Sequence, residues 1–166
     1  LNRYRRLLAE RARLAQLIEL SPNGVVVVDA AGVIRLANQP LARLLRADSG
    51  AALEGQLLSA WLPAEAAGAW RKVLLPAALS LRLETEVVRA DGQRLPVELI
   101  VGGIPWEGAP AAQMIVRDIA AEKSRRTQEA AIAEERRRIA REIHDGLAQN
   151  LAARLADQAV PHELLV

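Results

Sequence analysis

A chain of 166 residues is long enough for one domain of ordinary size plus helical extensions, not for two full domains. With no cysteine, no phenylalanine, one tyrosine and three tryptophans, it excludes disulfides, thiolate metal sites and cysteine nucleophiles, and its core has to be aliphatic. Basic and acidic residues nearly cancel to a net charge of +2, and the surplus is arginine without an aromatic-interleaved basic patch, so direct nucleic-acid binding is not expected. No apolar run is long enough to span a bilayer and no signal peptide opens the chain. The first residue is Leu1, so the chain is expected to be a piece of something longer, with a membrane anchor upstream left open.

Residues 1–20, "LNRYRRLLAERARLAQLIEL", read as an amphipathic helix, with Tyr4, Leu7, Leu14 and Ile18 at spacings of three, four and seven. Arg11 interrupts the seam. The narrow apolar stripe favours a short coiled coil with a second copy over packing on its own domain. Ser21-Pro22-Asn23-Gly24 breaks the helix. Val25 to Asp29 and Val33 to Ala37 are β-rich runs joined by a turn at Ala30-Ala31-Gly32. From Pro40 to Ala78 the pattern is helical and alanine-rich, broken by Gly50, Gly55, Pro63 and Gly68. "RLETEVVRADGQRLPVELIVGGI" predicts a hairpin turning at Asp91-Gly92, "WEGAP" a second turn, and "AAQMIVRDI" a last strand. The order is two strands, short helices, three strands, which is α+β with an antiparallel sheet and helices on one face.

Residues 120–160 hold no glycine or proline except Gly146. Glu122 and Arg126, and Glu134 and Arg138, stand four apart in the favourable order. Ile132, Ile139, Ile143 and Leu147 fall within about 80° of one another on a helical wheel. A long helix with one apolar stripe is predicted, ending at Pro161.

Residues 21–118 resemble a PAS domain, a sensory fold of five antiparallel strands with helices on one face. The resemblance rests on the order of "SPNGVVVVDAAGVIRLAN", with Asn38 opening the first helix, the "ADGQRLPVEL" hairpin, and "RDIAAEK" at the exit. That exit is similar to the Asp-Ile-Thr junction through which PAS domains feed a signalling helix, with Ala120 in place of the threonine and its capping hydroxyl. Such domains often hold a ligand between sheet and helices. No histidine lies between residues 21 and 118, which excludes haem with a histidine axial ligand. The absence of cysteine excludes a flavin–cysteine adduct, and the few aromatics argue against a stacked flavin. The expected core is aliphatic and without cofactor; the alternative is a small or apolar ligand. Gln113 and Arg117, which alternate with Ile115 on the last strand, are candidates for polar contacts to it, or for a solvent face.

"EERRRIAREIHDGLAQ" resembles the phosphoacceptor helix of sensor histidine kinases, in the subfamily whose response regulators usually carry helix-turn-helix domains. Arg138-Ile139-Ala140-Arg141-Glu142-Ile143-His144-Asp145 and Gln149 carry the match. The chemistry follows from the residue types. Phosphoryl transfer needs a nucleophile with a free lone pair and a group to take its proton. Imidazole titrates near neutrality, which makes His144 the candidate acceptor. Asp145 is the candidate general base and can hold the ring nitrogen that does not attack. Ala140 and Ala148 leave the ring open, and Arg141, one turn earlier, can offset phosphate charge. The resemblance implies that Asp145 and Gln149 also serve dephosphorylation, with Gln149 positioning a water against an aspartyl phosphate on the regulator. His162 has no such context and is expected to be inert.

The 17 residues after Gln149 hold no Asp-x-Gly-x-Gly and no glycine-rich lid. The chain is therefore expected to contain sensor, linker and acceptor helix without the ATP-binding domain, to have no cofactor or metal of its own, and not to autophosphorylate. ATP and magnesium would be used by the catalytic domain it lacks. The expected organisation is an N-terminal helix over 1–20, a PAS domain over 21–118, a signalling helix over 119–160 and a tail over 161–166. The expected role is the sensory and phosphoacceptor part of a two-component kinase: a parallel homodimer joined by coiled-coil terminal helices, with a receiver domain as partner. Its expected place is the cytoplasm, free or as the cytoplasmic part of a membrane-anchored kinase. The alternative is a non-catalytic dimerising module, or a dominant-negative remnant of such a kinase.

Overall fold

The computed structural model describes residues 2–66, 68–74 and 80–159. The chain divides into two compact units, Leu1–Ala120 and Ala121–Val166. Within the first, helix α1 spans Asn2–Glu19 and is followed by strands β1 (Gly24–Asp29) and β2 (Ile34–Ala37). Two short helices come next, α2 (Gln39–Leu45) and α3 (Gly50–Leu53), and then 3₁₀ turns at Leu58–Ala60 and Ala69–Leu74. Strands β3 (Leu81–Val88), β4 (Arg94–Trp106) and β5 (Ala109–Asp118) complete the unit. The strands form one antiparallel sheet in the order β2-β1-β5-β4-β3. This is the α+β fold the sequence predicts.

The turns follow from local chemistry. Asp29 Oδ1 accepts the amides of Ala31 and Val33 and fixes the β1–β2 turn, while the Arg35 guanidinium binds the other carboxylate oxygen. Arg35 is the extra residue of a bulge, since Val27 faces Leu36 and Val28 faces Ile34. Asp91 Oδ1 accepts the Gln93 amide at the β3–β4 turn, and its other oxygen pairs with Arg46 at the end of α2. At the β4–β5 turn Glu107 and Gly108 both have positive φ, the backbone of a two-residue hairpin.

The core lies between the sheet and its helices. Val26, Val28, Val97, Leu99, Val101, Met114 and Val116 meet Ile34, Leu41, Leu45, Leu53, Leu62 and Trp70. Gly50 is required by space: a Cβ there would sit 2.3 Å from the Ala37 carbonyl oxygen. The helical stretch predicted over 40–78 is thus two short α-helices and two 3₁₀ turns, with 67 and 75–79 outside the described residues.

Asn38 is the buried polar residue of this core among the described residues, and all four hydrogen-bonding valences of its side-chain amide are used. Oδ1 accepts from Val25 N and Leu41 N at 2.8 and 3.0 Å, so it caps α2 and holds the start of β1. Nδ2 donates to the Ile18 and Asn23 carbonyls at 2.9 and 3.1 Å. Glu19 accepts the Gln39 amide beside it. These bonds tie the last turn of α1 to the sensor core, although α1 itself has no buried residue.

Candidate functional site

Helix α4 spans Ala120–Gln158, 39 residues, and is about 58 Å long at 1.5 Å per residue. Asp118 Oδ1 accepts the Ala120 amide at 2.8 Å and so satisfies the first amide of the helix. Ile119, just before it, is buried, and its amide donates to the Pro96 carbonyl.

The helix is sustained along its surface by ion pairs at one-turn spacing. Glu122 pairs with Arg126, Arg125 with Glu129, Glu134 with Arg137, and Glu135 with Arg138. The predicted Glu134–Arg138 pair is not formed: Arg138 lies between Glu135 and Glu142, and Glu134 takes Arg137 and Arg141 instead. Each exposed pair is worth a few tenths of a kcal/mol, so together they favour helix without fixing it.

No residue of α4 is buried. Ile132, Ile139, Ile143 and Leu147 form the predicted stripe, and Leu151 and Leu155 continue it. From Ile139 the step is always four residues, so the stripe turns by about 40° at each step around a helix of 3.6 residues per turn. By Leu151 and Leu155 it has reached the angular position of His144. Leu151 and Leu155 lie beyond the stripe expected from the sequence, and the repeated four-residue step is the signal that carries it on to them.

The His144 side chain is 85 % exposed on this helix. Its Nδ1 is 3.8 Å from Asp145 Oδ1, close enough for Coulomb attraction if the ring is charged but beyond hydrogen-bond length. Gln149 is one turn beyond Asp145, so the two share a face. Arg141, one turn before His144, has its guanidinium on Glu134 Oε1 at 3.1 Å and its Nε on the Arg137 carbonyl. It is thus directed toward the N-terminus, as helical side chains are. His144 stands beside Asp145, and Gln149 shares the Asp145 face rather than that of His144, while Arg141 is engaged with Glu134. His162 and Pro161 lie outside the described residues.

The sensor interior offers little room. The cavity between sheet and helices has a volume of about 20 Å³, near that of a single water, and its lining includes Val26, Leu58, Leu62, Met114 and Val116. Trp61 also lines it, and the Trp61 Nε1 donor is buried without a hydrogen-bond partner among the described residues. Gln113 and Arg117 do not reach this cavity. Strand alternation turns Met114 and Val116 inward and places their neighbours on the opposite sheet face, where Arg117 pairs with Glu98 at 3.8 Å.

Among the described residues no helix is long and apolar enough to cross a membrane, and no cluster of His, Asp or Glu could hold a metal ion.

A family model described as "Diguanylate cyclase-like sensor domain" matches residues 17–118, and one described as "Histidine kinase" matches residues 135–158. No curated protein matches. Among solved structures, the PAS domain of an HTR-like protein from Haloarcula marismortui is similar at 27 % identity and a TM-score of 0.62, over 71 % of this chain and 98 % of that one. A domain of a sensory box sensor histidine kinase/response regulator from Geobacter sulfurreducens aligns at 20 % identity and 0.56, over 68 % and 96 %. The PAS domain of nitrogen regulation protein NR(II) from Vibrio parahaemolyticus aligns at 21 % and 0.55, over 63 % and 96 %. The last two, at such identity, speak for the fold alone. With its sensor matched over residues 17–118 and its histidine inside the second match, the chain belongs to the diguanylate cyclase-like sensor domain family and carries the PAS sensor and histidine helix of a sensor histidine kinase.

Proposed function

We propose that this chain relays a signal from its PAS sensor to His144, which carries a phosphoryl group to the receiver domain of a response regulator. The observation that supports this most is a fully presented histidine on an unbroken helix, inside the segment that matches the histidine kinase family. In the proposed step His144 Nε2 attacks the γ-phosphorus of an ATP held, with magnesium, by a kinase catalytic domain. The P–N bond forms as the bond to ADP breaks, and Asp145 takes the imidazole proton from Nδ1. The 3.8 Å gap between them closes by rotation of two exposed side chains. Arg141 approaches the phosphate only by leaving Glu134, which costs little because exposed pairs contribute under about 1 kcal/mol. Gln149, beside Asp145, positions a water for hydrolysis of the regulator's aspartyl phosphate.

The chain works as a parallel homodimer in the cytoplasm. Leu7, Leu14 and Ile18 of α1 meet their copies, and so do Ile132, Ile139 and Ile143 of α4. Support comes from the exposure of these helices: apart from half-buried Ile18, every one of these side chains is exposed. A helix with an uncovered aliphatic stripe gains about 1.5–3 kcal/mol for each side chain it buries fully. A change in the sensor shifts the pitch or register of α4 at Asp118–Ile119 and repositions His144.

The test supplies a matching catalytic domain in trans. The chain alone with ATP stays unlabelled; with the catalytic domain it acquires acid-labile label that disappears in His144→Gln and forms more slowly in Asp145→Asn. Label that persists in His144→Gln overturns the assignment.

A further inference from the structure

A second cavity in the sensor unit is unlike the apolar interior. It is a cleft of about 470 Å³ where α2, the end of β5 and the α1–β1 connection meet. Arg43, Arg89 and Arg117 line it, against one carboxylate, Asp118. That carboxylate is already occupied in capping α4. Arg117 has part of its charge met by Glu98. The Arg43 guanidinium has no hydrogen-bond or ion-pair partner among the described residues. Arg89 is held differently: its Nε donates to the Leu44 carbonyl at 3.1 Å. That bond anchors the guanidinium beside α2 and leaves its terminal nitrogens without a hydrogen-bond partner among the described residues. Leu44 and Val116 contribute apolar wall between the charges.

We propose that this cleft binds a small dianion, a short organic acid or phosphate whose charges are taken by Arg43 and Arg89. Guanidinium groups are suited to this because their planar N–H donors match carboxylate and phosphate oxygens two at a time. The volume lies within the range of small-molecule sites, and the apolar wall suits a short carbon chain. With Asp118 engaged in its bond to the Ala120 amide, Arg43 and the terminal nitrogens of Arg89 are the donors the cleft offers an anion. The site is separate from His144, and binding here stands or falls independently of the phosphoacceptor role. Its placement gives it a consequence, since Asp118 both lines the cleft and caps the first turn of α4.

The experiment titrates the full chain by calorimetry at constant ionic strength. One arm uses succinate, one inorganic phosphate, and succinamide serves as the uncharged control. Saturable binding is expected with at least one dianion and none with succinamide. Response to succinate alone assigns the site to organic acids; response to phosphate alone assigns it to phosphates. Arg43→Gln, at an exposed position without a structural partner, should weaken binding about tenfold or more, with an unchanged melting temperature. Arg43→Glu should abolish it. No saturable binding of either dianion up to about 10 mM, or equal binding by Arg43→Glu, overturns the proposal.

Discussion

In the sensor unit Val28, Ile34, Leu53, Val97, Val101 and Met114 are at most 1 % exposed, whereas on α4 the large aliphatics from Ile132 to Leu155 are 43 to 66 % exposed. Both regions draw on aliphatic residues, chiefly Val, Ile, Leu and Ala in the sensor and Ile, Leu and Ala on α4. The sensor closes its apolar residues within one chain, through strands whose inward faces meet short helices. Helix α4 closes none, and ion pairs of a few tenths of a kcal/mol cannot hold 39 residues straight by themselves. The sensor's stability therefore belongs to the chain, and the helix's stability depends on what covers the stripe. A mutation in one region should leave the other region's readout in place.

The largest effect is expected at Asn38. Asn38→Ala removes four hydrogen bonds and orphans the buried amides of Val25 and Leu41. The cost should be about 3–5 kcal/mol of sensor stability. Tryptophan fluorescence melts should fall by on the order of 15 °C, because Trp61 and Trp70 sit in the sensor. A near-neutral result would show that the α1 end and the α2 cap are held by other means.

Ile139→Asp tests the other side of the comparison. It places a charge on the stripe, where a paired helix would bury it unpartnered, and should weaken self-association by about 3 kcal/mol, roughly a hundredfold in Kd. Sedimentation reads this directly, while the sensor melt should not move. A chain that is monomeric at micromolar concentration before mutation, or a dimer indifferent to the change, removes the paired-helix reading.

How much of this was legible in the sequence varied with the length of the repeating unit. The hairpins were, because Asp91-Gly92 and Glu107-Gly108 mark turns that need particular side chains and positive φ. Asn38 was legible as a helix opener, since its cap reaches only three residues ahead. Its bonds to Ile18 and Asn23 were not, because they depend on where α1 ends in space. Residues 40–78 blurred into one helical stretch because 3₁₀ turns have no 3.6-residue period and alanine fits every element. The shared face of Asp145 and Gln149 was legible because a spacing of four residues on a helix is enough to place it. The partner of Arg141 was not, because a flexible side chain chooses between Glu134 and the histidine by rotamer rather than by position.

Acid separates the regions more gently. Partial burial pushes the Asp29 carboxyl upward, but the Val33 amide, the Arg35 guanidinium and the Ala31 amide outweigh it and hold the group below its usual value. At Asp91 the Gln93 amide lowers the carboxyl most, opposed by desolvation and helped by Arg46 and Arg89. A carboxylate with a depressed folded pKa contributes stability above its unfolded value, near 4, and loses it as pH falls through the lower folded value. The sensor should therefore lose stability below about pH 4 as both turns loosen. In Asp29→Asn and Asp91→Asn that part of the pH dependence should be absent. A wild-type melt that is flat between about pH 4 and 2 would mean the turns are held by backbone geometry alone.

The smallest expected effect lies two residues from the histidine. Gly146 interrupts an otherwise glycine-free helix, and a Cβ there would meet nothing within 4 Å. Glycine in a helix interior costs about 0.5–1 kcal/mol relative to alanine, chiefly through backbone entropy. If α4 is limited by its own propensity around His144, Gly146→Ala should raise its stability by up to about 1 kcal/mol. This would appear as slower amide exchange from Ile143 to Asn150, with the tryptophan melt of the sensor unmoved. The same substitution would behave differently if a partner surface packs closely over this turn. The open space at Gly146 would then be filled in the assembly, and the added methyl would weaken self-association instead of slowing exchange. Two residues apart, Gly146 and His144 stand about 200° from each other around the helix, so the sign of the change reports whether the face opposite the histidine meets solvent or a partner.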